Sequence, residues 1–191
     1  MVEFNAIYFD KAGEQNTDAT LAVAKRAADQ FGIKTIICAS TWGTTALKLP
    51  KVFDPRQYTL VVVTHNYGFP APNKVEMPDD VRQELCKQGV MVFTGTLAFS
   101  GVNSAISKGL NTYDYPGFFA TITRKIFSDG TKVCMEIVMM AADAGLIPDW
   151  NKDVIAIAGT GKGADTAWVI KPTSSRGFLD LRLKILLCKP L

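Results

Sequence analysis

The stretch Ile36-Ile37-Cys38-Ala39-Ser40-Thr41-Trp42-Gly43-Thr44-Thr45-Ala46-Leu47 is an apolar run that stops at a cluster of hydroxyls around one glycine and then resumes with helix-forming residues. It reads as strand, anion-binding turn, helix. A helix start presents unpaired N–H groups and the positive end of its macrodipole. Ser40, Thr41, Thr44 and Thr45 add hydroxyl donors, and Gly43 lets the backbone approach a ligand closely. Such a turn suits a phosphate monoester. The same residues also make an ordinary helix N-cap, so the surrounding chain must decide between the two.

Outward from this stretch, strands alternate with helices. Before it, Ala6 to Phe9 reads as a short strand, and Asn16-Thr17 caps a helix over Thr17 to Phe31 with Leu21, Ala24, Ala28 and Phe31 on one stripe. The β-branched run Ile33 to Ala39 is a strand buried on both faces, and the helix after the turn should stop near Pro50. Strands follow at Tyr58 to Val63 and Val90 to Phe93, with a helix opened by Pro78-Asp79-Asp80 between them. Leu97 to Lys108 and Phe118 to Phe127 read as helices, and Ser128-Asp129-Gly130 as a break. Thr131 to Ala144 is a helix apolar nearly all round, Met135, Met139 and Met140 included, which implies burial between layers or at a contact between copies of the chain. Val154 to Ala158 and Thr166 to Ile170 flank a glycine-rich loop too short for a crossover helix, so they should pair antiparallel. A helix over Phe178 to Leu187 would close the chain.

This order predicts one domain over residues 1–191, a three-layer α/β/α fold with a mostly parallel sheet and an antiparallel edge strand. In such sheets ligands bind beyond the carboxyl ends of the strands. Those ends carry Ser40 to Thr45, His65-Asn66, Thr94-Gly95-Thr96 and Gly159-Thr160-Gly161-Lys162-Gly163-Ala164-Asp165. The loop Gly13 to Thr17 lies over the same edge. Convergence of these turns on one crevice favours the phosphate reading over a plain cap.

Individual residues leave alternatives open. His65 either meets a ligand or bonds its own loop. The Gly159 to Gly163 loop lacks the Walker spacing and is followed by a strand, so it is either a backbone wrap around a ligand with Lys162 supplying charge, or a glycine hairpin with a solvated lysine. Glu136 and Asp143 share a helix face and either line the crevice or accept from loop N–H groups, the second being the commoner fate of buried carboxylates. Trp42, Tyr67 and Trp168 either stack on an aromatic ring or belong to the core. No catalytic residue can be assigned, since a single histidine without a designated carboxylate is thin support for a hydrolase.

The 191 residues are 48% hydrophobic with a net charge of +3 and scattered cations, which argues against nucleic acid or an anionic membrane as partner. Small phosphorylated ligands fit better. The start of the chain has no signal-peptide pattern and no apolar run has transmembrane length, so a cytoplasmic protein is expected. Cys38, Cys86, Cys134 and Cys188 lie far apart with no Cys-x-x-Cys pair, which reads as buried thiols rather than metal or redox chemistry.

The turn Ala39 to Ala46 after the helix opened by Asn16-Thr17 resembles the C-terminal α/β domain of pyruvate kinase, where the corresponding turn holds an effector phosphate. Nothing resembles the barrel or the metal and phosphoenolpyruvate residues of that enzyme, so pyruvate kinase activity is not implied. A closer resemblance is to free-standing proteins made of this domain alone. It is carried by Tyr8-Phe9 through Thr17, Ala39 to Leu47, Lys132 to Ile137 through Ala142 to Pro148, Gly159 to Asp165, and Asp180-Leu181-Arg182 through Leu187 to Pro190. That resemblance implies bound flavin mononucleotide (FMN), its phosphate on Ser40, Thr41, Gly43, Thr44 and Thr45. Asp10-Lys11-Ala12-Gly13 departs from relatives in lacking a proline before the glycine. Placing the flavin ring against His65, Asn66, Thr94 to Thr96 and Gly159 to Asp165 follows from strand-end geometry instead. Two functions compete on these grounds: a flavin protein with oxidoreductase chemistry, and a non-catalytic sensor of a phosphorylated metabolite or nucleotide.

Overall fold

A computed structural model describes residues 3–191. Seven strands form one sheet: β1 (Ile7–Phe9), β2 (Thr35–Ala39), β3 (Thr59–Val63), β4 (Met91–Phe93), β5 (Val154–Ala158), β6 (Thr166–Lys171) and β7 (Arg182–Pro190), in the spatial order β1-β7-β6-β5-β2-β3-β4. β2 pairs in parallel with both β3 and β5, and β3 with β4. β6 runs antiparallel to β5 and β7, so it alone opposes the other six strands.

Period-two alternation along the strands builds two cores. Ile36 and Cys38 of β2 face one layer with Leu60, Val62, Ile155 and Ile157, where α1 (Thr17–Phe31), α2 (Leu49–Val52) and α3 (Asp79–Lys87) pack. Ile37 faces the other with Val61, Val63, Ala156 and Ala158, against α6 (Asp129–Asp143). α4 (Val102–Leu110) and α5 (Tyr115–Ile126) lie outside, α5 packing on α6. The three-layer, mostly parallel architecture is therefore present, and no helix among the described residues is long and apolar enough to cross a membrane. α1 ends at Gly32, left-handed at φ 66°.

Several elements differ from the sequence reading, each for a local reason. The closing segment expected as a helix over Phe178 to Leu187 is a 3-10 turn, Ser175–Asp180, followed by β7. Arg182-Leu183-Lys184-Ile185 alternates with period two, and pairing with β1 and β6 outweighs the helix propensity of leucine and lysine. The antiparallel strand β6 consequently lies third from the sheet edge rather than on it. Pro50 does not stop the helix after the turn but sits in its first turn, where its missing N–H leaves nothing unpaired. α4 starts only at Val102, because Ser100 N–H closes a turn onto the Leu97 carbonyl. α5 begins at Tyr115, where the Asp114 carboxylate caps Gly117 N–H, and Ser128-Asp129-Gly130 begins α6, with Ser128 Oγ accepting from Thr131 N–H at 3.0 Å. The Met-rich α6 is buried within its own chain, between the sheet and α5, and not at a contact between copies.

Candidate functional site

β2, β3 and β5 all end at one cavity of about 310 Å³. Its polar wall includes Ser40, Thr41, Thr44, Thr45 and His65, with Gly159, Gly161, Lys162 and Gly163 opposite. Val63, Leu97, Val133, Ile137 and Met140 supply an apolar wall, and Trp42 and Phe69 add aromatic surface. A neighbouring cleft of about 220 Å³ shares Thr44, Thr45 and Gly163 and adds Glu14, Thr17 and Lys48, so the loop before α1 does border this edge.

The hydroxyl turn is held from behind. Ser40 N–H donates to the Val63 carbonyl at 3.0 Å, Ala46 N–H donates to Ser40 Oγ at 3.3 Å, and Leu47 N–H donates to the Gly43 carbonyl at 2.9 Å. Among the described residues, the backbone N–H groups of Thr41, Trp42, Gly43, Thr44 and Thr45 donate to no acceptor in the chain, nor do the hydroxyls of Thr41, Thr44 and Thr45. Thr45 is itself 3% exposed. A run of unused backbone donors on a folded turn forms an anion-binding concavity. The helix that follows is a 3-10 turn, Ala46–Lys48, and then only Leu49–Val52, so the turn's own N–H groups, not a long helix dipole, provide the field.

Gly43 has a different role from the one expected. At φ +89° it is left-handed, and a Cβ there would lie 2.3 Å from Val81 Cγ1. Its bareness admits α3, and its backbone N–H stays among the turn's unused donors. Asp165 is likewise turned inward: fully buried, it accepts from Gly13 N–H at 2.9 Å, Thr160 N–H at 3.2 Å and the Thr166 hydroxyl at 2.8 Å. It clasps the loop before α1 to the glycine loop. Asn66 Nδ2 donates to the Tyr67 carbonyl, and Thr94 Oγ1 lies 2.6 Å from Thr64 Oγ1 while accepting from Arg82. Gly95 packs against the Phe93 ring and Thr96 is exposed. Gly43, Asn66, Thr94, Gly95, Thr96, Thr160 and Asp165 thus do not line the cavity, whereas the other nine expected site residues do.

Glu76 and Lys132 escaped the sequence reading. His65 has a carboxylate partner after all, Glu76, whose Oε2 is 2.7 Å from Nδ1, and its ring lies on Phe69 with centroids 4.0 Å apart. Lys132 and Glu136, one helical turn apart in α6, form a buried ion pair lining the cavity. Glu136 Oε1 accepts from Phe99 N–H at 2.9 Å, and Asp143 Oδ1 accepts from Ser175 N–H at 2.9 Å, so both carboxylates do satisfy loop donors. Burial pushes the Lys132 ammonium below the usual lysine range, opposed by the Glu136 carboxylate. A buried pair of this kind contributes little net stability compared with apolar packing. A lysine four residues before a glutamate inside an apolar run was the signal that could have flagged it.

Charges around the cavity mostly cancel. Lys132 pairs with Glu136, and Arg124 Nε lies 3.3 Å from Asp129 Oδ1. Lys162 has no ion-pair partner among the described residues, which leaves an uncompensated positive charge across from the turn. Cys38, Cys134 and Cys188 are buried, with the Cys38 and Cys188 thiols pushed up to about 12 by burial, so they behave as small apolar groups. Cys86 is instead exposed on α3. No cluster of histidine, cysteine, aspartate and glutamate among the described residues could hold a metal.

A family model described as the alpha/beta domain of pyruvate kinase matches residues 18–170 of this chain.

Proposed function

We propose that this chain, which belongs to the pyruvate kinase alpha/beta-domain family, binds FMN in the cleft at the carboxyl ends of β2, β3 and β5. The observation that carries the reading is the run of unused donors from Thr41 to Thr45, of which Thr41, Trp42, Thr44 and Thr45 line a cavity whose one unpaired charge among the described residues is Lys162. A phosphate dianion would satisfy several of these N–H and hydroxyl groups together. The apolar wall of Val63, Val133, Ile137 and Met140 suits an aromatic ring system, and His65 and Lys132 border it with polar atoms. The volume of about 310 Å³ is at the small end for a ligand pocket, and the adjoining cleft extends it past Thr44 and Thr45.

In this reading the turn and Lys162 bind the phosphate, and the apolar wall excludes water from the ring. His65, fixed by Glu76, holds a ring nitrogen available for a proton at the cavity edge. Bound flavin would supply electron and hydride transfer.

The test is the visible spectrum of the purified protein before and after denaturation and filtration, followed by titration of colourless protein with FMN and with riboflavin. The expected result is FMN binding at least about tenfold tighter than riboflavin, because hydrogen bonds to a charged group contribute about 1.5–3 kcal/mol each. Failure to bind FMN overturns the reading. Bleaching of the bound flavin by a nicotinamide donor would identify an oxidoreductase. Reversible binding without reduction would identify the sensor that the pyruvate kinase effector turn suggests.

A further inference from the structure

The two outer helices each carry an apolar stripe on the side that faces solvent. In α4, Val102, Ile106 and Leu110 recur at four-residue spacing and point to solvent, while the more covered positions are Asn103, Ser104 and Ser107. Asn103 Nδ2 donates inward to the Phe99 carbonyl and the Asp114 carboxylate, and the Ser107 hydroxyl to the Thr112 carbonyl. In α5, Phe118, Ile122 and Ile126 form an outward stripe, in addition to the inward face of Phe119, Ala120 and Thr123. A surface helix normally turns its apolar stripe to the core. On α4 it is inverted, and α5, which packs against α4, exposes a second apolar stripe beside its inward one.

We infer that the α4–α5 face is where a second copy of this chain docks. The six side chains named are between 38% and 74% exposed, and Tyr113 and Tyr115 beside them are almost fully exposed. Together they supply roughly the 800 Å² per partner that a standard interface covers, well above the scattered apolar exposure of a monomer. A two-fold contact sets the same patch against itself, so an apolar face with few charges is self-complementary without matching ions. Of the cations here, Arg124 is paired with Asp129, which leaves Lys108 and Lys125, too few for docking on an anionic membrane. Two helices from each copy would meet as a four-helix layer. The face adjoins the ligand cleft, because α5 also contributes Arg124 to the cavity lining.

Sedimentation equilibrium over a dilution series tests this on the wild-type chain and on Ile106→Glu and Ile126→Glu, both at exposed positions. The expected result is a wild-type assembly and single-chain variants with unchanged far-ultraviolet circular dichroism. A wild-type chain that stays single at the highest concentration overturns the inference, as do folded variants that remain assembled. Binding of a single-chain protein to vesicles of anionic phospholipid would overturn it too, by giving the face a different occupant. Should a variant misfold, hydrogen exchange of the wild type decides: amides of α4 and α5 that slow with concentration support the contact, and concentration-independent exchange refutes it.

Discussion

The hydroxyl turn Ser40 to Thr45 and the glycine loop Gly159 to Asp165 face each other across the same cavity and are built in opposite ways. The turn uses one hydroxyl, Ser40, for its own fold and leaves five successive N–H groups without an acceptor among the described residues. The loop turns its polar groups inward: Asp165 takes three donors, Ala164 N–H donates to Thr17 Oγ1 at 3.0 Å, and Lys162 N–H donates to the Thr160 carbonyl at 2.9 Å. Two motifs that look equally like ligand loops in the sequence therefore differ in kind. The turn offers donors, and the loop is a clasp that presents one lysine. Glycine content does not tell the two apart, and the count of unused donors does.

This contrast breaks most sharply at Asp165. Asp165→Ala removes the shared acceptor of the half-buried N–H groups of Gly13 and Thr160 and one of the two partners of the Thr166 hydroxyl, and a loss of about 3 kcal/mol is expected in chemical denaturation. Next is a pair of glycines in the same loop. Gly163→Ala should lose about 2 kcal/mol or more, since its Cβ would sit 2.5 Å from Glu14 Cα at φ +69°. Gly161→Ala, at φ +72° with nothing within 4 Å, should lose only about 1 kcal/mol. Equal losses at the two positions would show that the loop is not clamped against α1. The smallest stability effect belongs to the binding side. Thr44→Ala and Lys162→Ala should leave the denaturation midpoint unchanged and weaken FMN binding about tenfold each. The Lys162 effect should shrink as salt is added. Gly43→Asp, the obvious substitution from sequence, does not separate the two roles, because its Cβ would collide with Val81 of α3.

Strongly periodic elements were legible in the chain itself. The α1 stripe, the β-branched runs of β2, β3 and β5, and the short glycine loop that forces β5 and β6 antiparallel each depend on local pattern, and the structure contains them. β7 was missed because a leucine- and lysine-rich segment reads as helix until partner strands on both sides claim its hydrogen bonds. Within the cleft, strand-end reasoning located three of the four turns, those after β2, β3 and β5, since their positions follow from sheet direction, whereas the turn after β4 lies outside the cavity lining. It could not decide which way a side chain points once a turn closes on itself, and Asp165, Thr94 and Asn66 turned inward for that reason.

By itself the sequence determined the alternation of strands and helices, the mostly parallel sheet, and the edge at which three of the polar turns meet, because these depend on residue periodicity and chain connectivity. Only the tertiary structure decided that Gly43 serves α3, that His65 has Glu76, that Lys132 and Glu136 meet at the cavity wall, and that α4 and α5 turn apolar faces outward. Those are contacts between segments distant in sequence, or choices of which helix face meets the core, and neither is fixed until the layers pack.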